Sequence, residues 1–413
     1  MNSRDWPKLK VADLCESIDY GYTASATYTP TGPRFLRITD IASGHIDWND
    51  VPFCEISVKD KPKFKLNSGD IVIARTGATT GASAYISETP DAVFASYLVR
   101  LKIGNKANPQ FLAYFLKSPQ YWSYVQGVLG DKSAQPNASA KTLTQASLSL
   151  PPLDQQRAIA RILGSLDNKI ELNRRTNETL QAMAHSTFKS WFVDFDPVHA
   201  KAEGRLPAGM DADTAALFPS SFEDFPLGKL PKGWRDGRLD EMILLQRGFD
   251  LPTSTRTPGP YPVLSASGPS GTHAEFRVKG PGITTGRSGL LGKVFFVHQD
   301  FWPLNTSLWV KEFRRAGPLY TYHLLRDLNF DAFNAGSAVP TLNRNHVLGL
   351  LVVIPPAGVV NEFESLAALL FNRSHQSEQE SDTLAMVRDA LLPKLISGEI
   401  RIKDAEQIVG EHV

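Results

Sequence analysis

Two proline landmarks recur in this chain at one spacing, and that recurrence limits its architecture more than any other feature. Pro136 and Pro340 are 204 positions apart, and so are the doublets Pro151-Pro152 and Pro355-Pro356. Around them the same order of features appears twice. Trp6 with Val11 is echoed by Trp234 with Leu239, and Gly21-Tyr22 by Gly248-Phe249. The apolar run Ile71–Ala74, followed by Arg75-Thr76-Gly77, is echoed by residues 283–286, followed by Arg287-Ser288-Gly289. Pro109 and Pro318 each open an amphipathic stretch, as proline does in a first helical turn. The chain is therefore expected to be two copies of one unit, each a β-rich globule followed by a long helix. Its 413 residues leave room for two or three domains.

Within the first copy, residues 35–38, 71–74, 84–86 and 97–101 are strand-like runs separated by Gly, Pro, Asp and Asn. Pro109 begins one predicted helix through Phe111, Leu112, Phe115, Leu116 and Trp122. Leu153–Phe192 holds no proline and no glycine cluster. Apolar residues recur there at Ile159, Ile162, Leu163, Leu166 and Ile170, then at Leu180, Met183, Ala184, Thr187, Phe188 and Trp191, the spacing of one buried helical face. A helix of some forty residues is roughly 60 Å long, so its apolar face needs a partner, and residues 361–395 have the same character. Both stretches turn polar at the middle, with Asn173 and Asn177 in one and Ser374, Ser377 and Ser381 in the other. Antiparallel packing would bring polar against polar and fix the register; the other reading has these residues facing water where the helices splay.

The expected fold is α+β: two β-rich globules separated by two long helices that form an antiparallel coiled coil, with an internal pseudo-two-fold repeat. The expected divisions are a globule over 1–152, a helix over 153–193, a linker over 194–232 rich in Pro, Gly, Ala and Asp, a second globule over 233–356, a second helix over 357–400 and a tail over 401–413. Residues 217–219 of the linker could dock as a short piece.

Composition argues against several function classes. A hydrophobic content of 42%, a charged content of 21% and a net charge of +1 carry no global signal for nucleic acid or membrane, so any DNA contact must come from local patches. Cys15 and Cys54 fit no metal or redox spacing and suit a reducing compartment. With no apolar signal core and no run of about twenty apolar residues, a cytoplasmic protein with no membrane attachment is expected. The stretch 286–294 resembles a phosphate loop but lacks the glycine required at 287 and the Ser or Thr required at 294. The nine histidines are scattered without a His-Glu-x-x-His pattern, and no Asn-Pro-Pro-aromatic run is present. Neither intrinsic catalysis nor a bound metal is expected.

Binding signals are stronger. Arg75, Thr76 and Thr79 in one copy, and Arg287 and Ser288 in the other, follow a strand and precede another, so they should form exposed hairpin tips. There an arginine beside small hydroxyl residues and glycines can reach phosphates or the edge of guanine. Ordinary turn chemistry is the competing reading; the recurrence of the trio in both copies favours a shared role. The polar loops after the Pro109 and Pro318 helices are second candidates, with Lys132, Ser133, Gln135, Asn137 and Lys141 in one and Ser337, Thr341, Asn343, Arg344 and Asn345 in the other. Arg34, Arg37 and Arg247 are weaker candidates.

The ends of the two helices carry a family resemblance. Phe188-Lys189-Ser190-Trp191-Phe192-Val193-Asp194-Phe195-Asp196-Pro197-Val198 and Leu391-Leu392-Pro393-Lys394-Leu395-Ile396-Ser397-Gly398-Glu399-Ile400 resemble the signatures of type I restriction-modification specificity subunits. So do Pro151-Pro152-Leu153-Asp154-Gln155-Gln156 and Leu230-Pro231-Lys232-Gly233-Trp234; Pro355-Pro356-Ala357-Gly358-Val359-Val360 departs from the pattern by lacking the glutamine, which bears on the cap of the second helix. The resemblance implies two target-recognition domains held apart by the helix pair, each reading one half of a split, asymmetric sequence in double-stranded DNA. It implies two methyltransferase (modification) subunits docked on the helices, for which Phe188, Trp191, Phe192, Leu391, Leu392 and Leu395 are the partner-binding candidates, with restriction subunits able to join. It also implies that S-adenosylmethionine and ATP belong to those partners, this chain holding no cofactor and catalysing nothing itself. Competing readings are a stand-alone two-domain DNA-binding regulator and a fused restriction or modification enzyme.

Overall fold

The computed structural model describes residues 6–42, 44–130, 136–328, 330 and 341–412. The chain divides into two compact units. The first comprises Met1–Leu172 with Glu380–Val413, and the second comprises Asn173–Gln379.

Each unit is built on a four-stranded antiparallel sheet. In the first, β1 (Cys15–Tyr20), β2 (Ile71–Ala74), β3 (Ser83–Tyr85) and β4 (Leu98–Ile103) lie in the order β1-β4-β2-β3. In the second, β5 (Ile243–Arg247), β6 (Gly282–Gly286), β7 (Val294–Val297) and β8 (Ser307–Phe313) lie in the order β5-β8-β6-β7. The order is the same in both: first, fourth, second, third. β2 is an unbroken apolar run because all four of its residues are buried. A small antiparallel pair recurs too, Lys8–Lys10 with Ser147–Ser149 and Arg235–Arg238 with Leu351–Ile354. The glycine echo has a steric cause. A Cβ on Gly21 would lie 2.1 Å from the Ala95 carbonyl oxygen, and one on Gly248 would lie 2.2 Å from that of Leu304, so in each unit the chain leaving the first strand passes too close for a side chain.

The Pro109 stretch forms two helices rather than one, α1 (Pro109–Lys117) and α2 (Pro119–Leu129). Pro119 has no N–H to continue α1 and forces Ser118 into an extended conformation, where the Ser118 hydroxyl accepts from Tyr121 N. The long helix α3 runs over Leu153–Phe192 as the spacing predicts, α4 over Pro318–Asp327, the second long helix α5 over Ala357–Ser397, and α6 over Ile402–Gly410. Where the glutamine is missing, capping changes hands. In the first unit Gln156 accepts from Asn108 N just ahead of α1; in the second, Glu364 of α5 accepts from Leu319 N and Tyr320 N at the start of α4.

The long helices pack antiparallel within each unit. In the first, Ile159, Ile162, Leu163 and Leu166 share a core with Leu384, Leu391 and Leu395. Beside them Asp167 accepts from both Tyr114 Oη (2.6 Å) and Arg388 Nη1 (2.8 Å). In the second, Phe188 and Phe192 lie edge-on to Phe363 at 5.6 and 5.5 Å. Four of the five polar residues at the middles are buried, not splayed into water: Asn173, Asn177, Ser374 and Ser377 are inside and Ser381 is half-buried, and Asn173 Nδ2 donates to the Ser377 carbonyl at 3.3 Å.

Two expectations change. Segment 194–232 holds helical turns at Asp196–Ala202 and Ala212–Ala216 and a hairpin of Phe222–Phe225 with Gly228–Pro231, more structure than a linker composition suggests. Val198 and Phe218 anchor it in the second core, with Phe218 edge-on to Trp191 at 5.2 Å, and Leu230 of the hairpin is buried as well. The six helix-end residues assigned to partner binding are also internal. Phe188, Trp191 and Phe192 lie in the second unit's core and Leu391, Leu392 and Leu395 in the first unit's, each between 1 and 7% exposed. Side chains so covered have no area left to offer a partner.

Candidate nucleic-acid interface

In the first unit the two candidate loops, some sixty positions apart in sequence, are joined into one structure. The loop between β2 and β3 begins at Arg75. Ala138 N donates to the Arg75 carbonyl (2.9 Å), Gly77 N donates to the Pro136 carbonyl (2.9 Å), and Thr76 and Asn137 form an antiparallel bridge. Thr80 Oγ1 donates to the Gly77 carbonyl at 2.7 Å and also reaches Pro136 O at 3.2 Å. Arg75 is half-buried, not extended into solvent as a hairpin tip would be. Its Nη2 donates to Asn137 Oδ1 (3.3 Å) and its guanidinium carbon lies 5.1 Å from the centre of the Tyr20 ring. Thr76 and Thr79 are half-exposed, and Asn137 and Lys141 are exposed. Lys141 lies in a helical turn, Ala140–Leu143, capped by Ser139. Lys132, Ser133 and Gln135 fall outside the described residues.

The second unit repeats this arrangement. Leu342 N donates to the Arg287 carbonyl (2.7 Å), and Ser288 and Thr341 form the corresponding bridge. Arg287 Nη1 donates to the Asn305 carbonyl at 3.3 Å. Asn343 accepts from Asn345 N and caps the turn Arg344–Leu348, as Ser139 caps its own, and Asn343 and Arg344 are exposed. Arg247 ends β5 opposite Leu308 and is exposed, at the same end of the sheet as Arg287, since Gly286 pairs with Ser307. Ser337 lies outside the described residues. Arg34 and Arg37 are occupied elsewhere: Arg34 donates to the Asn49 and Val51 carbonyls, and Arg37 pairs with Asp40 at 2.8 Å.

Sequence reasoning missed Tyr20 and Tyr97, which are 46% and 58% exposed beside Arg75, and Asn305 beside Arg287. A signal existed for the first. Tyr20 and Arg247 hold the same place in the repeat, just before Gly21 and Gly248, and differ completely in chemistry. Each unit thus gathers guanidinium, amide and hydroxyl groups on backbone that is already ordered. Such a set can meet phosphates and base edges without first paying to organise a loop. Among the described residues no group of His, Cys, Asp or Glu could hold a metal ion, and no helix is long and apolar enough to cross a membrane.

Residues 3–182 of this duplicated globule and helix match the family model described as type I restriction modification DNA specificity domain. The chain is 23% identical over 96% of its length to the whole of the type I restriction enzyme HindI specificity subunit of Haemophilus influenzae. It is also 23% identical over 97% of its length to 95% of the MjaIX specificity subunit of Methanocaldococcus jannaschii. The crystal structure of the type I restriction-modification S subunit from M. genitalium shares the fold, with a TM-score of 0.58 at 16% identity over 95% of this chain and 96% of that one. The chain is thus similar along nearly its whole length to type I restriction enzyme specificity subunits, and its residues 3–182 match the type I specificity-domain model.

Proposed function

We propose that this chain is the sequence-reading subunit of a type I restriction-modification complex, each unit reading one half of a bipartite, asymmetric site in double-stranded DNA. The observation that carries the reading is the repeated loop pair. One hairpin loop and one downstream loop are tied by the same backbone bond in both units, from Ala138 N to Arg75 O and from Leu342 N to Arg287 O, while the side chains they present differ. Equal frames with unlike donors suit two unlike half-sites. Two modification subunits dock on the long helices, and restriction subunits can join the same assembly. S-adenosylmethionine and ATP serve those partners, and this chain contributes specificity rather than catalysis. Because the helix-end aromatics and leucines are internal, docking falls to side chains the helices leave outside: Met386 in one unit, and Met183, Leu366 and Leu369 in the other. Leu366 and Leu369 are three apart on one helix and share a face.

Co-expression with candidate modification subunits, followed by position-resolved mapping of modified bases, tests the proposal. A bipartite motif that appears only when this chain is present is the expected result. Failure to co-purify, together with no modified motif, rejects it.

A further inference from the structure

Arg75 is held in a way its counterpart in the second unit is not. The Tyr20 ring lies 5.1 Å from the guanidinium, and Tyr20 Oη accepts from Ala140 N at 3.0 Å, so the ring is anchored to the turn that follows the second loop. Asn137 Oδ1 takes one hydrogen from Arg75 Nη2, and Asn137 is itself fixed by its bridge to Thr76. Arg75 Nε is buried, with no partner among the described residues. The donors left for a ligand therefore lie on the Nη edge: the two hydrogens of Nη1 and the second hydrogen of Nη2. Adjacent donors in a rigid plane match the O6 and N7 acceptors on the major-groove edge of guanine. In the second unit the place of Tyr20 is taken by Arg247, and Arg287 spends an Nη1 hydrogen on the Asn305 carbonyl.

Resting on the DNA-reading role argued above, we infer that Tyr20 is a positioning residue. Its ring holds the Arg75 guanidinium in the plane needed to read a guanine, in the half-site of the first unit alone. A stacked guanidinium keeps one orientation instead of sampling many, so less freedom is lost when the base arrives. At a site this exposed, the stacking should be worth about two- to fivefold in preference for that guanine.

The test uses the full chain co-expressed with modification subunits, with host genomic DNA as the probe and the modified bases mapped by position. Tyr20→Leu should relax one guanine position in one half-site, the same position relaxed by Arg75→Ala, and leave the other half-site unchanged. Tyr20→Phe, which keeps the ring and loses the hydroxyl's anchor on Ala140 N, should retain most of the guanine preference. In vitro, duplexes of the mapped motif carrying 7-deazaguanine at that position lack the N7 acceptor. They should weaken wild-type binding more than Tyr20→Leu binding, the two penalties differing by about two- to fivefold, a pattern that general loss of structure does not produce. A wild-type motif from Tyr20→Leu, equal relaxation of both half-sites, or a loss in Tyr20→Phe as large as in Tyr20→Leu overturns the inference. Absence of any motif with the wild-type chain rejects the DNA-reading role itself.

Discussion

His323 should make the second unit acid-labile. It sits on α4 with no exposed surface, and neither ring nitrogen has a hydrogen-bond partner among the described residues. Its ring stacks on His185 and Phe188 at 5.7 and 5.5 Å and meets Phe363 and Phe371 edge-on. Burial among these rings, with smaller contributions from Arg326 and His185, pushes its pKa down to about 3. Asp327 lies 3.8 Å from His185, not beside His323, and gives the buried ring no direct counter-charge. In the unfolded chain the imidazole takes a proton near its ordinary 6.5, whereas the folded chain refuses it until about pH 3. The stability associated with the neutral ring is therefore complete above pH 6.5 and is lost as the pH falls from 6.5 towards 3, at about 1.4 kcal/mol per pH unit, or about 2 kcal/mol by pH 5. His298, pushed down to about 4 by burial and by His375, loses stability in an overlapping window, so only a difference isolates His323. The measurement is urea unfolding of wild type and His323→Leu at pH 7.5 and pH 5.0. The leucine should be the more stable at pH 7.5, by about 1 kcal/mol or more because two unpaired buried nitrogens disappear, and its advantage should widen by about 2 kcal/mol at pH 5.0. Parallel pH dependence in the two proteins would show that the ring is either protonated or hydrated in the folded state, and the argument from burial would fall.

Other outcomes follow from single contacts. Gly21→Ala and Gly248→Ala should each cost about 1–3 kcal/mol in urea unfolding, because the added methyl meets a carbonyl oxygen that cannot retreat without moving the chain. Asp167→Ala should destabilise the first unit by about 1–3 kcal/mol, since it leaves the buried Tyr114 hydroxyl and the Arg388 guanidinium without their shared acceptor. Asn177→Leu should instead raise stability by about 1 kcal/mol in thermal or urea unfolding, because the Asn177 Oδ1 is buried with no partner among the described residues. Arg75→Ala and Arg287→Ala should each relax one half-site only, by about 1–3 kcal/mol of discrimination, as read from maps of modified bases.

The parts of the fold legible in the sequence are those that depend on near neighbours. The limits of α3 can be read off because a three-and-four apolar spacing from Ile159 to Trp191, uninterrupted by proline, has no strand alternative. The break at Ser118 follows equally local chemistry, and the Pro119 that causes it is visible in the sequence but outweighed there by the run of apolar residues on either side. Strand order is different. Nothing near β2 or β4 indicates that they pair, and the repeat shows only that whatever order one unit takes the other takes too. The same limit applies to the interface: Arg75 and Asn137 are each recognisable as polar loop residues, but their joining through Thr76 is a long-range backbone pairing with no local trace.

The helix-end signatures teach a sharper lesson. A recurrent motif shows that positions are constrained without showing by what. Phe188, Trp191 and Phe192 are three large aromatic side chains within five positions, each able to bury 150–250 Å². Left on a free surface they would form an apolar patch of the size that drives association. Here the second unit's own core meets that demand, through Phe363, Tyr320, Phe218 and Trp234. Packing between the long helix and its globule is therefore enough to constrain the motif, and the docking proposed above falls to other side chains. Met386, Met183 and Leu369 are each more than half exposed on the two long helices. An unbranched, polarizable methionine can adapt to a partner's surface at little cost when no partner is present. Replacing Met183 and Leu369 together by lysine should leave the second unit's urea midpoint unchanged and weaken co-purification with modification subunits. If capture stays at full strength, these positions are not the docking face.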